Sequence, residues 1–176
     1  CTGGGSCVDV PTWGPPGQYV TITGSDFGSS TGTVQFINND SNSANQGVTA
    51  LGSTDFPQAC GNSGFWTDDS IVVKVPDEYQ NQNQIEFTDH QVIISRAQDA
   101  VESDPTDFQI IDDTPGPSLC KLEPSLGPAG TAVDLIGENF ETNQASGTVT
   151  FFDGVDAGVI QSWGTDMIEG AEVPQN

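Results

Sequence analysis

Among side chains able to exchange a proton near neutral pH, this chain offers one histidine, His90. It lies in the run FTDHQVII, at the start of a predicted strand, with no Gly-x-Ser-x-Gly turn and no cysteine close by in sequence. No nucleophile is therefore paired with it, and the expectation is a surface histidine beside Asp89. Adjacent carboxylates occur at Asp68 and Asp69 and at Asp112 and Asp113. Glycoside hydrolysis needs two carboxyls converging across a cleft with one held protonated, and a thin sandwich offers no obvious cleft. The glycine-rich runs at 14–17 (GPPG) and 127–130 (GPAG) open strands rather than helices, so they do not form a phosphate-cradling loop. No catalytic residue is assigned and no enzyme is expected.

Two other chemistries are open to these residues. Calcium takes six to eight oxygen ligands from carboxylates, carbonyls and water. Asp112 and Asp113 sit at a predicted domain junction where an ion could bridge two units, and they are the favoured calcium site. The Asp153-Gly-Val-Asp156 turn and the pair Asp40 and Asn42 are weaker candidates, and none of them fits a twelve-residue EF-hand loop. No other cofactor is expected. Asn39-Asp40-Ser41 is an N-glycosylation sequon. Phe56, Phe65 and Tyr79 could stack on sugars, with packing as the default role for each.

The four cysteines, Cys1, Cys7, Cys60 and Cys120, form no CxxC pair, which argues against zinc and for disulfides in an oxidising, extracytoplasmic setting. Of the pairings open to them, Cys7 with Cys60 is the one predicted, leaving Cys1 and Cys120 unassigned. Charge points the same way. Charged residues make up 16% of the chain, and three Lys and Arg stand against 25 Asp and Glu, for a net charge of −22. Such a surface repels nucleic acid and anionic lipid, and it favours multivalent cations, a cationic partner or a high-salt medium. No stretch approaches the ~18 apolar residues of a membrane span, so no membrane insertion is expected. The setting predicted is extracellular or cell-surface.

The elements that must hold these residues are strands. Gln18–Thr23 alternates with period 2, and the runs 33–37, 70–75, 91–95 and 108–111 (TVQFI, SIVVKV, QVIIS and FQII) are short and apolar. Dense Gly, Pro, Asn and Ser punctuation separates them, and no helical period occurs anywhere. That is the pattern of an all-β sandwich. The region 38–65 has little periodicity and reads as a long inserted loop or an added hairpin, which is where function often resides.

A motif recurs. Cys7, Pro11, Gly14, Pro15, Gly17, Val20, Gly24 and Phe27 return at one constant offset as Cys120, Pro124, Gly127, Pro128, Gly130, Val133, Gly137 and Phe140. After a short gap, Gly32, Thr33, Val34 and Phe36 return as Gly147, Thr148, Val149 and Phe151. A tandem repeat divides the chain into a flexible leader at 1–6, a first sandwich at 7–113 with its loop at 38–65, a linker at 114–116, and a second sandwich at 117–176. The leader CTGGGS is also compatible with a lipoprotein tethered through Cys1. The first unit runs well past its Val75-Pro76 landmark, whereas the second stops just after Val173-Pro174, so the second is expected to lack its last strands.

The ordered set resembles the IPT/TIG (immunoglobulin-like, plexin, transcription factor) domain. It comprises Pro11, Gly14, Pro15, Gly17, Val20, Ile22, Gly24 and Phe27, then Gly32 to Phe36, then Trp66, Ile71, Val75 and Pro76. Its second occurrence ends with Trp163, Ile168, Val173 and Pro174. The resemblance implies an immunoglobulin-like β-sandwich of the kind used in cell-surface receptors, bacterial surface proteins and extracellular polysaccharide enzymes. Trp66 and Trp163 then read as core fillers. The function expected is a non-enzymatic extracellular structural or adhesive protein, a stalk or filament of modules assembled head to tail. Its partners would be copies of itself or adjoining domains of a longer chain. The alternative is a carbohydrate-binding accessory segment of a larger secreted enzyme, with a glycan as partner.

Overall fold

The computed structural model describes residues 12–54, 60 and 65–175. The chain divides into two compact units, the first holding described residues 12–54 and 65–115, the second holding Cys60 and residues 116–175.

The first unit contains β1 (Trp13–Gly14), β2 (Tyr19–Thr23), β3 (Thr33–Asn38), β4 (Thr49–Leu51), β5 (Ser70–Lys74), β6 (Asp89–Ser95) and β7 (Thr106–Ile110). They form a five-stranded sheet in the order β1-β7-β6-β3-β4 and a two-stranded sheet of β2 and β5. All pairings are antiparallel except β1 with β7, which is parallel. Alternation decides which face each strand buries. Val20 and Ile22 of β2 lie opposite Val73 and Ile71 of β5. Val34 and Phe36 of β3, Val92 and Ile94 of β6, and Phe108 and Ile110 of β7 are buried with them in one core. Each such side chain contributes about 1.5–3 kcal/mol by leaving water. The rings of Phe36 and Phe108 meet edge to face, centroids 5.4 Å apart.

The expected strands thus form within a residue or two of their predicted ends. Of the two forms expected for 38–65, a loop or an added hairpin, its described residues begin with the hairpin. Asn38 completes β3, a series of polar turns follows, and Thr49–Leu51 returns antiparallel to β3 as β4.

The second unit contains β8 (Ser118–Glu123), β9 (Ala132–Glu138), a 3-10 turn at Phe152–Gly154, β10 (Ser162–Trp163) and β11 (Met167–Glu172). Its strands make one antiparallel sheet, β10-β11-β9-β8. Its core is smaller: Leu135, Phe140, Val149, Ile168 and Ala171, with Phe151 and Trp163 packed against it. Among the described residues this unit has no strands equivalent to β6 and β7.

The repeat is visible in individual hydrogen bonds. Gly24 N–H donates to the Asp69 carbonyl at 3.0 Å and Phe27 N–H to that of Asp68 at 3.0 Å. At the matching positions Gly137 N–H donates to Asp166 at 3.0 Å and Phe140 N–H to Thr165 at 3.0 Å. The Trp66 indole donates to the Phe27 carbonyl at 3.2 Å, and the Trp163 indole to the Phe140 carbonyl at 2.5 Å. Gly17 and Gly130 both turn the chain with positive φ, 82° and 84°, a conformation that a side chain would strain. Trp66 is buried, as expected of a core filler, whereas Trp163 is half-buried.

Candidate functional site

The chemistry of the first unit concentrates at one end of its five-stranded sheet. The inward residues of β3 run Val34, Phe36, Asn38, so the last inward position is an amide with 1% of its surface exposed. A buried amide must find partners, and it does. Asn38 Nδ2 donates to the Tyr79 hydroxyl at 2.8 Å, to Glu86 Oε2 at 2.8 Å and to Ser43 Oγ at 3.2 Å. Its Oδ1 accepts from the Asp40 N–H at 2.9 Å. Glu86 also accepts from Asn45 Nδ2 at 2.7 Å and from the Ser43 hydroxyl. These bonds, led by those of Ser43 and Asn45, hold the Glu86 carboxyl below its usual range. Asp40 accepts from the Asn42 N–H at 2.8 Å and the Thr88 hydroxyl at 2.8 Å. The polar turns between β3 and β4 are thereby fastened to the core.

His90 belongs to this cluster and overturns the expectation of a surface histidine. It is wholly buried, because β6 alternates and His90 falls in phase with Val92 and Ile94 while Asp89 faces outward. Its Nδ1 lies 2.9 Å from the Thr88 carbonyl and its Nε2 lies 3.0 Å from the Tyr79 hydroxyl. The bonding fits a neutral ring whose Nδ1–H donates to Thr88 and whose Nε2 accepts from Tyr79. The two rings stack, 5.9 Å between centroids and 19° between planes. Burial pushes the His90 pKa down and that of Tyr79 up. A histidine with both nitrogens engaged and no exposed surface does not meet a substrate. Tyr79 is equally buried and is not a sugar platform. Phe65 is half-buried, and Phe56 lies outside the described residues.

The outward face of the same sheet is different. In register across β1, β7 and β6 stand Trp13, Gln109 and Asp89, and one pair along stand Asp107 and Gln91. Trp13 is 57% exposed. Beside it lies a depression of about 270 Å³ lined by Thr12, Asn39, Asp89, Asp107, Phe108 and Gln109. Its floor is fixed by backbone bonds: Gln109 N–H donates to Thr12 at 2.9 Å and Asn39 N–H to Asp89 at 2.9 Å. Asn39, the sequon residue, is exposed at its rim. Trp13 was not identified from sequence, since a two-residue strand carries no periodicity. Its one signal is the repeat, where Leu126 occupies the matching position and is 83% exposed. A second groove of about 330 Å³ runs along Leu51, Lys74 and Pro76 to Tyr79, with the Lys74 ammonium 5.3 Å from the centre of the Tyr19 ring.

Asp112 and Asp113 are both exposed, and Asp113 Oδ1 accepts from the Thr114 N–H at 2.7 Å. Among the described residues no three His, Cys, Asp or Glu side chains gather as metal ligands. The predicted Cys7–Cys60 disulfide is corrected. Cys60 bonds Cys120 of β8, Cα atoms 5.9 Å apart, across a sequence separation of 60. Both cysteines belong to the second unit, so the bond ties the connection between β4 and β5 to β8. Cysteine spacing does not encode connectivity, and the repeat equivalence of Cys7 with Cys120 pointed the wrong way. Cys1 and Cys7 lie outside the described residues.

Fold and surface together define an all-β protein of immunoglobulin-like sandwich type. Neither a protein-family profile nor a curated protein sequence matches the chain. Among solved structures, the full extracellular region of plexin A4 is similar over 96% of this chain and 16% of its own length, at 19% identity and a TM-score of 0.32. A surface glycan-binding protein from Prevotella bryantii is similar over 94% of this chain and 32% of its own, at 15% identity and a TM-score of 0.30. This chain spans less than a third of either structure, and likenesses this loose carry no functional weight. Among the described residues no helix is long and apolar enough to cross a membrane.

Proposed function

We propose that this chain is a non-enzymatic extracellular protein whose immunoglobulin-like units serve as structural and adhesive modules, assembling head to tail into a cell-surface stalk or filament. The observation that carries this reading is the duplicated frame, in which the same glycine, phenylalanine and tryptophan positions make the same bonds in both units. Support comes also from the IPT/TIG resemblance of the motif, from a disulfide suited to an oxidising compartment, and from a surface with three cations against 25 carboxylates. Beads coated with the full chain are expected to cluster with one another, and the free chain to sediment as longer species at higher concentration. A chain that stays monomeric and leaves the beads dispersed, or one that releases reducing ends from polysaccharide, overturns the proposal.

A second reading, a carbohydrate-binding segment, is favoured by one feature: the exposed indole of Trp13 beside a polar depression. Retention of the wild-type chain on insoluble polysaccharide tests it.

A further inference from the structure

We propose that the depression beside Trp13 is a binding subsite for a neutral polysaccharide, the indole stacking on a sugar ring while Gln109, Asp107, Asp89 and Asn39 engage its hydroxyls. This rests on the carbohydrate-binding reading and assigns it a ligand class and a set of residues.

Trp13 is not among the described residues that build the core of the first unit. The core-facing work of β1 falls to Gly14, where an added Cβ would stand 3.2 Å from the Phe108 ring, so the strand lies close against the sheet edge and presents Trp13 outward. An indole left 57% exposed keeps much apolar area in water, an unfavourable arrangement that a stacked ring relieves. The ladder β1-β7-β6 sets Trp13, Gln109 and Asp89 in one row, successive strands ~4.8 Å apart. Sugar recognition combines an apolar face with a few fixed donors and acceptors. The row supplies both: amides at Gln109 and Asn39, and carboxylates at Asp89 and Asp107 that accept from hydroxyls.

Charge selects among sugars. Of the described residues lining the depression, two are carboxylates and none is a cation, in a chain of net charge −22. Uronates and sulfated glycans are repelled, and uncharged rings are not. At about 270 Å³ the depression falls below the ~300 Å³ of an enclosed ligand pocket, as suits one subsite along a chain lying on the surface. The second unit carries Leu126 in place of Trp13, an apolar residue without a ring, so the site belongs to the first unit alone.

Affinity electrophoresis of the full chain, made in bacteria so that Asn39 bears no glycan, tests the assignment. The gels contain hydroxyethyl cellulose, galactomannan or polygalacturonate. Retardation is expected in at least one neutral gel and not in polygalacturonate. Trp13→Ala is expected to weaken binding about tenfold or more, and Trp13→Phe to restore much of it. Trp13→Ala should keep the wild-type melting temperature; if it does not, Gln109→Ala on the adjoining strand must weaken binding in its place. A wild-type chain that no neutral gel retards sinks both the subsite and the carbohydrate-binding reading. Retardation that Trp13→Ala leaves unchanged, or that polygalacturonate matches, sinks the subsite alone.

Discussion

Lowering the pH from about 7 to about 5 asks the folded chain to accept a proton that its unfolded form binds readily at an ordinary histidine pKa of 6.5. In the fold His90 has no exposed surface, its Nδ1–H is given to the Thr88 carbonyl, and its Nε2 is occupied by the Tyr79 hydroxyl. A cation there would be desolvated, and the Tyr79 hydroxyl would have to turn from donor to acceptor towards Nε2, leaving its own hydrogen without the ring as acceptor. Burial therefore depresses the folded pKa, against the opposing pull of the Thr88 carbonyl and the carboxylates of Glu86 and Asp89. Between the depressed folded value and 6.5 the unfolded chain binds more protons than the folded one, so stability rises with pH. The contribution is fully present above 6.5 and is lost as pH falls below it, at a rate of at most about 1.4 kcal/mol per pH unit. A term of opposite sign runs alongside, since acid also relieves the self-repulsion of a chain at −22. Subtraction isolates the histidine. Urea unfolding followed by tryptophan fluorescence, on wild type and His90→Gln across this range, should show wild type losing stability relative to the variant as pH falls. His90 is the chain's only histidine, so equal slopes for the two proteins would refute its burial as a neutral ring.

Two further outcomes are expected of the same structure. Asn38→Ala strips Tyr79 and Glu86 of a shared donor and frees the turns after β3, and it should cost about 2–4 kcal/mol in urea unfolding; a loss below about 0.5 kcal/mol would mean that the cluster does not hold that end of the sheet. Replacing Cys60 and Cys120 by Ser opens a loop of 60 residues and should cost about 4 kcal/mol, and a non-reducing peptide map should join these two cysteines, whereas a map joining Cys60 to Cys7 would overturn the pairing.

Strands were legible where alternation was long enough to set a phase. Tyr19–Thr23 and Asp89–Ser95 each carry several inward apolar residues, and the sheet followed. The same rule, carried back two residues from Val92, puts His90 inside, so its burial was in the sequence although the charged Asp89 beside it points to the surface. The tandem frame was legible because glycine and proline positions are dictated by backbone geometry, which sequence records directly. Thr49–Leu51 was hidden among polar turns, with Ala50 as its one buried residue. Trp13 lay in a strand too short to show a period, on a face set by pairing with the distant β7. The Cys60–Cys120 bond depends on where a long connection comes to rest, and no local signal specifies that. Asn39 could be found as a sequon, but its place at the rim of the Trp13 depression required the sheet.

The bond between Cys60 and Cys120 also governs what becomes of the molecule when it is cut. It closes a ring of chain that contains Lys74 and Arg96, two of the three residues after which a trypsin-like protease cleaves. A nick at either leaves the pieces covalently joined, and their mutual concentration stays that of a single molecule rather than that of the solution. The parts of the broken chain stay joined until something reduces the sulfurs. Lys121 is the exception, one residue outside the ring and bound to Glu123 at 2.9 Å. Scission there alone leaves the rest of the second unit without a covalent tie to the ring, with the pairing of β8 and β9 left to hold it.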